Sequence, residues 1–272
     1  MRLPIELRFP APAVMGIVNV TPDSFAGDGA PEAARAIERA RTHLSEGASI
    51  VDVGGESTRP GSDGVSLEIE LERVVPVIEG LQGSPVSVDT SKAEVARQAL
   101  RLGAELVNDV TALRGDPDLA GVVADGDAYL CLMHMQGEPR TMQVAPVYDD
   151  VVSEVKAFLE ERLTFATGVG IPEDHICLDP GIGFGKSVEH NLELVRRLPE
   201  LAALGRPVLV GLSRKRWLGR ILGDPDATTG TVAASVGAAV AAYDCGAAIF
   251  RVHDVREHVE ALRIAQAVNE GG

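Results

Sequence analysis

Carboxylates and an amide recur where short apolar runs give way to polar residues. Asp89 follows Val86-Ser87-Val88, Asn108 follows Leu106-Val107, and Asp179 follows Ile176-Cys177-Leu178. Converging on one mouth, such groups suit a flat heterocycle with several N–H donors and a carbonyl. A carboxylate accepts two parallel N–H bonds from an aminopyrimidinone as it does from a guanidinium. A hard-metal site competes with this reading, but it wants several carboxylates close together, and these residues are spread over separate runs. The bland alternative is turn chemistry at the ends of strands.

A second set is basic. Arg59, Lys215, Arg251 and His253, with Asn19, Thr58 and Ser213, also follow apolar runs. Cationic groups gathered in a chain of formal net charge −15 point to an anion site. Long-range steering would repel an anion from such a chain, so local Arg, Lys and N–H groups must supply the attraction. Arg251 and His253 lie near the start of the last helix, whose N-terminus also attracts anions; a salt-bridged surface pair is the plainer reading of these two. Asn19 could help hold a magnesium ion that shares a diphosphate oxygen. The arrangement expected is acids deep in a cup and bases at its lip.

Other features read as structural. Ser91, Asp109 and Asp254 stand where helix caps belong. Cys131, Cys177 and Cys245 are odd in number and far apart, and the first two lie in apolar runs, so they read as small core residues rather than a disulfide scaffold. Gly181-Ile182-Gly183-Phe184-Gly185-Lys186 could cradle a phosphate, but its short glycine spacing is not that of a nucleotide loop.

The elements that must position these groups alternate. Strand-like runs are Ala13–Val18, Ile50–Val53, Val86–Val88, Leu106–Val107, Ala128–Met133, Ile176–Leu178, Val208–Val210 and Ala248–Phe250. Between them, three- and four-residue apolar spacing predicts helices over Pro31–Ser45, Glu68–Glu79, Ala93–Leu102, Leu119–Ala124, Asp149–Thr167, His190–Leu198, Gly230–Tyr243 and Val255–Val268. Gly47, Gly103 and Gly168 punctuate helix ends. Eight β-then-α units in 272 residues imply a (β/α)8 TIM barrel as one domain. An open doubly wound sheet is the rival, but the first strand runs into Asn19-Val20-Thr21-Pro22-Asp23 rather than a glycine fingerprint. In a barrel, function gathers at the C-terminal ends of the strands, and that is where every polar cluster above falls.

Composition sets the remaining bounds. Apolar residues make up 45% and charged residues 24%, an ordinary globular balance, and aromatics only 4%, so Val, Leu, Ile and Ala must build the core. The acidity disfavours a nucleic-acid binder. Met1 to Pro12 has no signal-peptide pattern, and no long uninterrupted apolar stretch predicts a transmembrane helix, so the expected compartment is the cytoplasm.

These motifs together resemble those of dihydropteroate synthases. Met15-Gly16-Ile17-Val18-Asn19-Val20-Thr21-Pro22-Asp23-Ser24-Phe25 is similar to the first signature of that family and Val53-Gly54-Gly55-Glu56-Ser57-Thr58-Arg59-Pro60-Gly61 to the second. Supporting matches run from Ser87-Val88-Asp89-Thr90 through Asn108-Asp109-Val110-Thr111, Met133-His134-Met135-Gln136-Gly137, the Asp179–Lys186 run and Gly211-Leu212-Ser213-Arg214-Lys215 to Arg251-Val252-His253-Asp254. The resemblance implies a (β/α)8 barrel that condenses 6-hydroxymethyl-7,8-dihydropterin diphosphate with 4-aminobenzoate in folate biosynthesis. It implies that Asp89, Asn108, Asp179 and Lys215 hold the pterin, with Met133 and Gly211 also substrate-binding positions. Asn19, Arg251 and His253 would hold the diphosphate with Mg2+, Asn19 as the metal ligand. Thr58, Arg59, Pro60, Phe184, Ser213 and Lys215 would border the aminobenzoate, and the loops Val20–Gly29 and Glu56–Asp63 would close over the diphosphate. Asp89, Asp179, Lys215 and Arg251 are the expected catalytic set, and a homodimer the expected assembly. After Phe25 the chain reads Ala26-Gly27-Asp28-Gly29 where many relatives have Ser-Asp-Gly-Gly, which leaves Asp23 and Asp28 both open as the loop residue at the reacting centre. Two other functions share part of this pattern: a corrinoid-linked methyltransferase of the same pterin-binding superfamily and a non-catalytic pterin-binding protein. Neither needs Arg59, Lys215 and the Arg251/His253 pair.

Overall fold

Alternation of side chains along each strand decides the architecture. Successive strand residues point to opposite faces, so Val51, Val53, Val86, Val88 and Val107 pack outward beneath helices while Ile50, Asp52, Ser87, Asp89, Leu106 and Asn108 turn inward. In the computed structural model, which describes residues 2–21, 31–57, 62, 64–137 and 141–271, the strands are β1 (Ala13–Asn19), β2 (Ile50–Gly54), β3 (Val86–Asp89), β4 (Leu106–Asp109), β5 (Tyr129–Met133), β6 (Ile176–Asp179), β7 (Leu209–Val210) and β8 (Ile249–Val252). All the paired strands run parallel, in the order β6-β5-β4-β3-β2-β1-β8-β7. A parallel bridge between Leu178 and Val208, with Leu178 N–H donating to Pro207 O at 3.0 Å, joins the two ends of the sheet. The result is a (β/α)8 barrel, as the alternation of elements predicts.

The helices are α1 (Ile5–Arg8), α2 (Pro31–Ser45), α3 (Leu67–Glu79), α4 (Ala93–Arg101), α5 (Leu119–Asp125), α6 (Val151–Gly168), α7 (Val188–Arg196), α8 (Leu198–Ala202), α9 (Arg216–Ile221), α10 (Val232–Asp244) and α11 (Val255–Asn269). Side-chain caps mark several starts: Ser66 accepts from Ile69 N–H, Thr231 from Ala234 N–H, and Ser187 forms a reciprocal box with His190. Three short helices escape the periodicity: α1, α8 and α9 are each six residues or fewer, too short to register in it. The left-handed residue after α6 is Gly170, not Gly168.

The barrel interior is layered. Its floor is apolar: Met15, Ile50, Leu106, Tyr129, Cys131, Cys177, Leu209 and Ile249 are all almost fully enclosed, and Ile5 of α1 with Phe9 just after it closes them from below. Tyr129 hides its ring there and donates its hydroxyl to Leu3 O at 2.8 Å. One turn of the pleat higher, the inward residues become polar, and the site begins.

Candidate active site

Asp52 lies at the centre of the polar layer. Its Oδ1 accepts the Ser87 hydroxyl at 2.6 Å, and its Oδ2 accepts Asn108 Nδ2 at 3.0 Å and Arg251 Nε at 2.6 Å. The same guanidinium donates Nη2 to Asp89 Oδ2 at 2.7 Å. Strands β2 to β4 and β8, with β1 between β2 and β8, thus tie Arg251, Asp52, Asp89 and Asn108 into one cluster. Gly54 leaves room at its rim, since a Cβ there would lie 3.3 Å from that of Asp89.

Asp179 stands across the mouth on β6. Its Oδ1 accepts Gly181 N–H at 2.6 Å, and its charge acts on Arg251. Burial raises both carboxyls: Asp89 is pushed up to about 7 despite Arg251, and Asp179 to about 6 despite the Gly181 N–H and Lys215. Burial opposes the charge of Arg251, but Asp52 and Asp89 outweigh it and hold the guanidinium firmly protonated. Between the loops after β7 and β8, Ser213 Oγ accepts His253 N–H at 3.2 Å and lies 3.1 Å from His253 Nδ1. In the neutral ring Ser213 then donates its proton to Nδ1, which leaves Nε2 carrying hydrogen.

The wall toward β5 and β6 is apolar and aromatic. Met133 packs with Val110, Met135 and Met142 against a half-buried Phe184. The Lys215 ammonium sits 4.2 Å from the Phe184 ring centroid. Arg214 takes the left-handed conformation (φ 56°), and its guanidinium grips Asp254 through Nε at 3.0 Å and Nη2 at 2.5 Å. That turn aims Ser213 and Lys215 inward while Arg214 points out.

Among the described residues Asp89, Asn108 and Arg251 therefore meet in one cluster, with changes of role. Arg251 is not at the lip and is not a surface pair with His253: it lies among the acids, because Asp52 below and Asp89 beside it attract the guanidinium inward. Asp254 stands at the N-cap of α11, but its carboxylate serves Arg214 instead. Ser91 caps nothing; Ala93 N–H at the start of α4 donates to Asp116 Oδ2 at 2.8 Å from the neighbouring loop. Asp109 shapes the loop after β4, accepting Thr111 N–H, Thr111 hydroxyl and Leu113 N–H. Asn19, half-buried, ends β1 beside Gly54, and Gly211, also half-buried, follows β7. Thr58, Arg59 and Pro60, and the loop residues Asp23 and Asp28, lie outside the described residues.

With this geometry in place, the comparisons decide between the readings. The profile of the pterin-binding enzyme family matches residues 15–253. The chain belongs to that family, among its dihydropteroate synthases. It is 45% identical over 262 residues to the dihydropteroate synthase of Escherichia coli K12, covering 94% of this chain and 91% of the relative. The synthase of Xanthomonas albilineans solved with 4-aminobenzoic acid superposes with a TM-score of 0.87 at 48% identity, covering 96% of this chain and 94% of the other. A second structure of that enzyme, in complex with 7,8-dihydropteroate, gives 0.84 at 45% identity with the same coverage.

Sequence reasoning missed three members of the enzyme's site. Asp52 is an ionisable residue inside an apolar strand, two residues before Gly54, a spacing that places it on the inward face; that was its signal. Lys186 and His134 stand in strand-end motifs, but nothing in either run signals their pairing, because only packing brings them together. Lys186 is buried, donates to Phe184 O at 3.0 Å and lies 2.9 Å from His134 Nδ1. Burial lowers Lys186 to about 7 and His134 to about 2, the latter helped by the Lys186 charge, so the ring is neutral and Nδ1 accepts.

Proposed function

We propose that the described residues divide between them the condensation of 6-hydroxymethyl-7,8-dihydropterin diphosphate with 4-aminobenzoate, which yields 7,8-dihydropteroate and diphosphate. The observation that carries this division is the layered mouth, with Asp89, Asn108 and Asp179 around a central guanidinium over an apolar floor. Asp179 and Asp89 accept the pterin's N–H groups, Asn108 completes the ring of partners, and Lys215 faces the pterin carbonyl. Met133 and Phe184 cover the flat face. Arg251 keeps N–H groups beyond those given to Asp52 and Asp89, and with His253 Nε2–H they hold the diphosphate.

The bond between the pterin methylene carbon and the diphosphate oxygen breaks first, and its electron pair leaves with diphosphate. The methylene becomes cationic, stabilised by the electron-rich ring and by the Asp89 and Asp179 carboxylates. The amine of 4-aminobenzoate, bordered by Ser213, Lys215 and Phe184 together with Thr58, Arg59 and Pro60, then forms the new C–N bond and loses a proton. Holding both reactants in line supplies much of the acceleration.

Magnesium fits this site in one way. Asn19, half-buried at the end of β1, offers an amide oxygen as a protein ligand, and an ion held there would take further ligands from diphosphate oxygens and water. Bound so, it would neutralise charge on the leaving group. A homodimer and a cytoplasmic location complete the reading. α10 packs against α9 and α11 and exposes Ala233, Gly237 and Ala241 at four-residue spacing, beside exposed Ile221, Leu222, Ile264 and Val268. Free Cys131 and Cys177, face to face on β5 and β6, suit a reducing compartment. Among the described residues no helix is long and apolar enough to cross a membrane.

Release of diphosphate, with both substrates supplied, tests the assignment. Asp179→Asn is expected to lower kcat/KM for the pterin diphosphate by on the order of 100-fold. An unchanged value would overturn the division of roles.

A further inference from the structure

Asp52 has no contact to offer a substrate: it is 0% exposed, and three donors from Ser87, Asn108 and Arg251 occupy it. A carboxylate held so deep in an apolar-floored barrel would be costly without such partners. Two of its three donors belong to residues that reach the pterin or the diphosphate. The third, Ser87, neighbours it in the β2/β3 register and fixes the other oxygen.

The geometry points to Asp52 as a positioning residue that keeps Arg251 from closing over Asp89. The guanidinium lies between two carboxylates, at 2.6 Å from Asp52 and 2.7 Å from Asp89. A guanidinium next to a single carboxylate forms a two-armed fork–fork pair with it. Asp52 takes Nε, which removes the Nε/Nη2 fork and holds the guanidinium so that Arg251 offers Asp89 one arm, Nη2. Asp89 thereby keeps acceptor capacity for the pterin, and the other N–H groups of Arg251 stay turned to the anion. The same carboxylate holds the Asn108 amide by one hydrogen, which sets the direction of its carbonyl oxygen. Without the charge of Asp52, Arg251 would swing onto Asp89 and occupy the pterin's own partner.

This inference rests on the placement of pterin at Asp89 and diphosphate at Arg251, and the test separates the two. Steady-state kinetics are measured for Asp52→Asn, Arg251→Met and the double variant. Asp52→Asn is expected to lower kcat/KM for the pterin diphosphate by about 10- to 100-fold, the scale for losing a group that orients a ligand-holding residue. The loss should fall mainly on the KM for the pterin substrate, with the KM for 4-aminobenzoate moved by less than about twofold. Added to Arg251→Met, Asp52→Asn should cost less than about twofold further, because the guanidinium it restrains is gone and the amide oxygen introduced at position 52 can still accept from Asn108. Losses that multiply in the double variant, or equal rises in both KM values, would overturn the role of Asp52 while leaving the substrate placement intact. If Arg251→Met alone left kcat/KM unchanged, the placement itself would fall. Should Asp52→Asn not fold by itself, the double variant, in which no guanidinium is left to hold, is compared with Arg251→Met and decides the matter alone.

Discussion

Asp89 and Asp179 share an origin for their raised affinity for protons: a carboxylate withdrawn from water prefers its neutral form. Their folded values, about 7 and about 6, both lie above the ordinary 3.8. The folded chain therefore holds protons that the unfolded chain has already released between about pH 4 and about pH 7. Stability contributed by these two groups is complete below that window and is lost as pH rises through it. Substrate binding follows the opposite sign, because the pterin's N–H donors need the ionised carboxylates. The stability of Asp179→Asn relative to the parent, measured by urea unfolding of the ligand-free protein, should accordingly improve from about pH 4 to about pH 6 and level off above. kcat/KM for the pterin diphosphate should rise from about pH 5 to about pH 7 in the parent enzyme, as the two folded carboxyls ionise. A stability difference that stayed flat, or ran the other way, would show that Asp179 does not titrate as its burial requires.

At the scale of elements, the loops after β5 and β6 work as one unit. Gly181 has φ +67°, and a Cβ there would lie 1.8 Å from His134 O, so backbone meets backbone with no space for a side chain. Lys186 then crosses from one loop to the other and holds the Phe184 carbonyl, which seats the ring under Lys215. Gly181→Ala should therefore cost about 2–4 kcal/mol, a left-handed backbone penalty plus a clash that must displace the β5 loop. Gly205 has a similar φ of +80° but nothing within 4 Å of a built Cβ. Gly205→Ala should cost only about 1 kcal/mol. Denaturant midpoints of the two variants check the pair, and equal losses would mean that the loops are not locked together. Helix positions were readable from spacing, whereas this lock was not: Gly181 and His134 are 47 residues apart, and nothing in either run announces the other.

The whole molecule sorts charge by depth. A chain of net charge −15 keeps an apolar floor, a mixed acid–base layer and an anion-binding mouth within one barrel, so the anion is attracted by groups at hand rather than by the surface field. The exposed apolar residues of α10 and α11 and at the end of α9 depart from that charged exterior, and they are the basis of the proposed dimer. Sedimentation at micromolar concentration should show the mass of two chains, and Ala241→Glu, which places a charge on the small-residue face, should shift it toward one. A parent protein that sediments as a single chain would refute the dimer.

Period and composition were enough to determine eight strands, most of the long helices and the register of polar residues at strand ends, because burying alternate apolar side chains leaves a chain few other ways to fold. They were also enough to mark Asp89, Asn108, Asp179 and Lys215 as members of one mouth. Tertiary structure alone decided the pairings within it: that Arg251 turns inward to Asp52, that Asp254 serves Arg214 instead of its own helix, and that Lys186 finds His134. Those choices depend on which charged groups face each other across a desolvated barrel, where an unpartnered charge is costly, and strand closure sets that geometry rather than any local pattern.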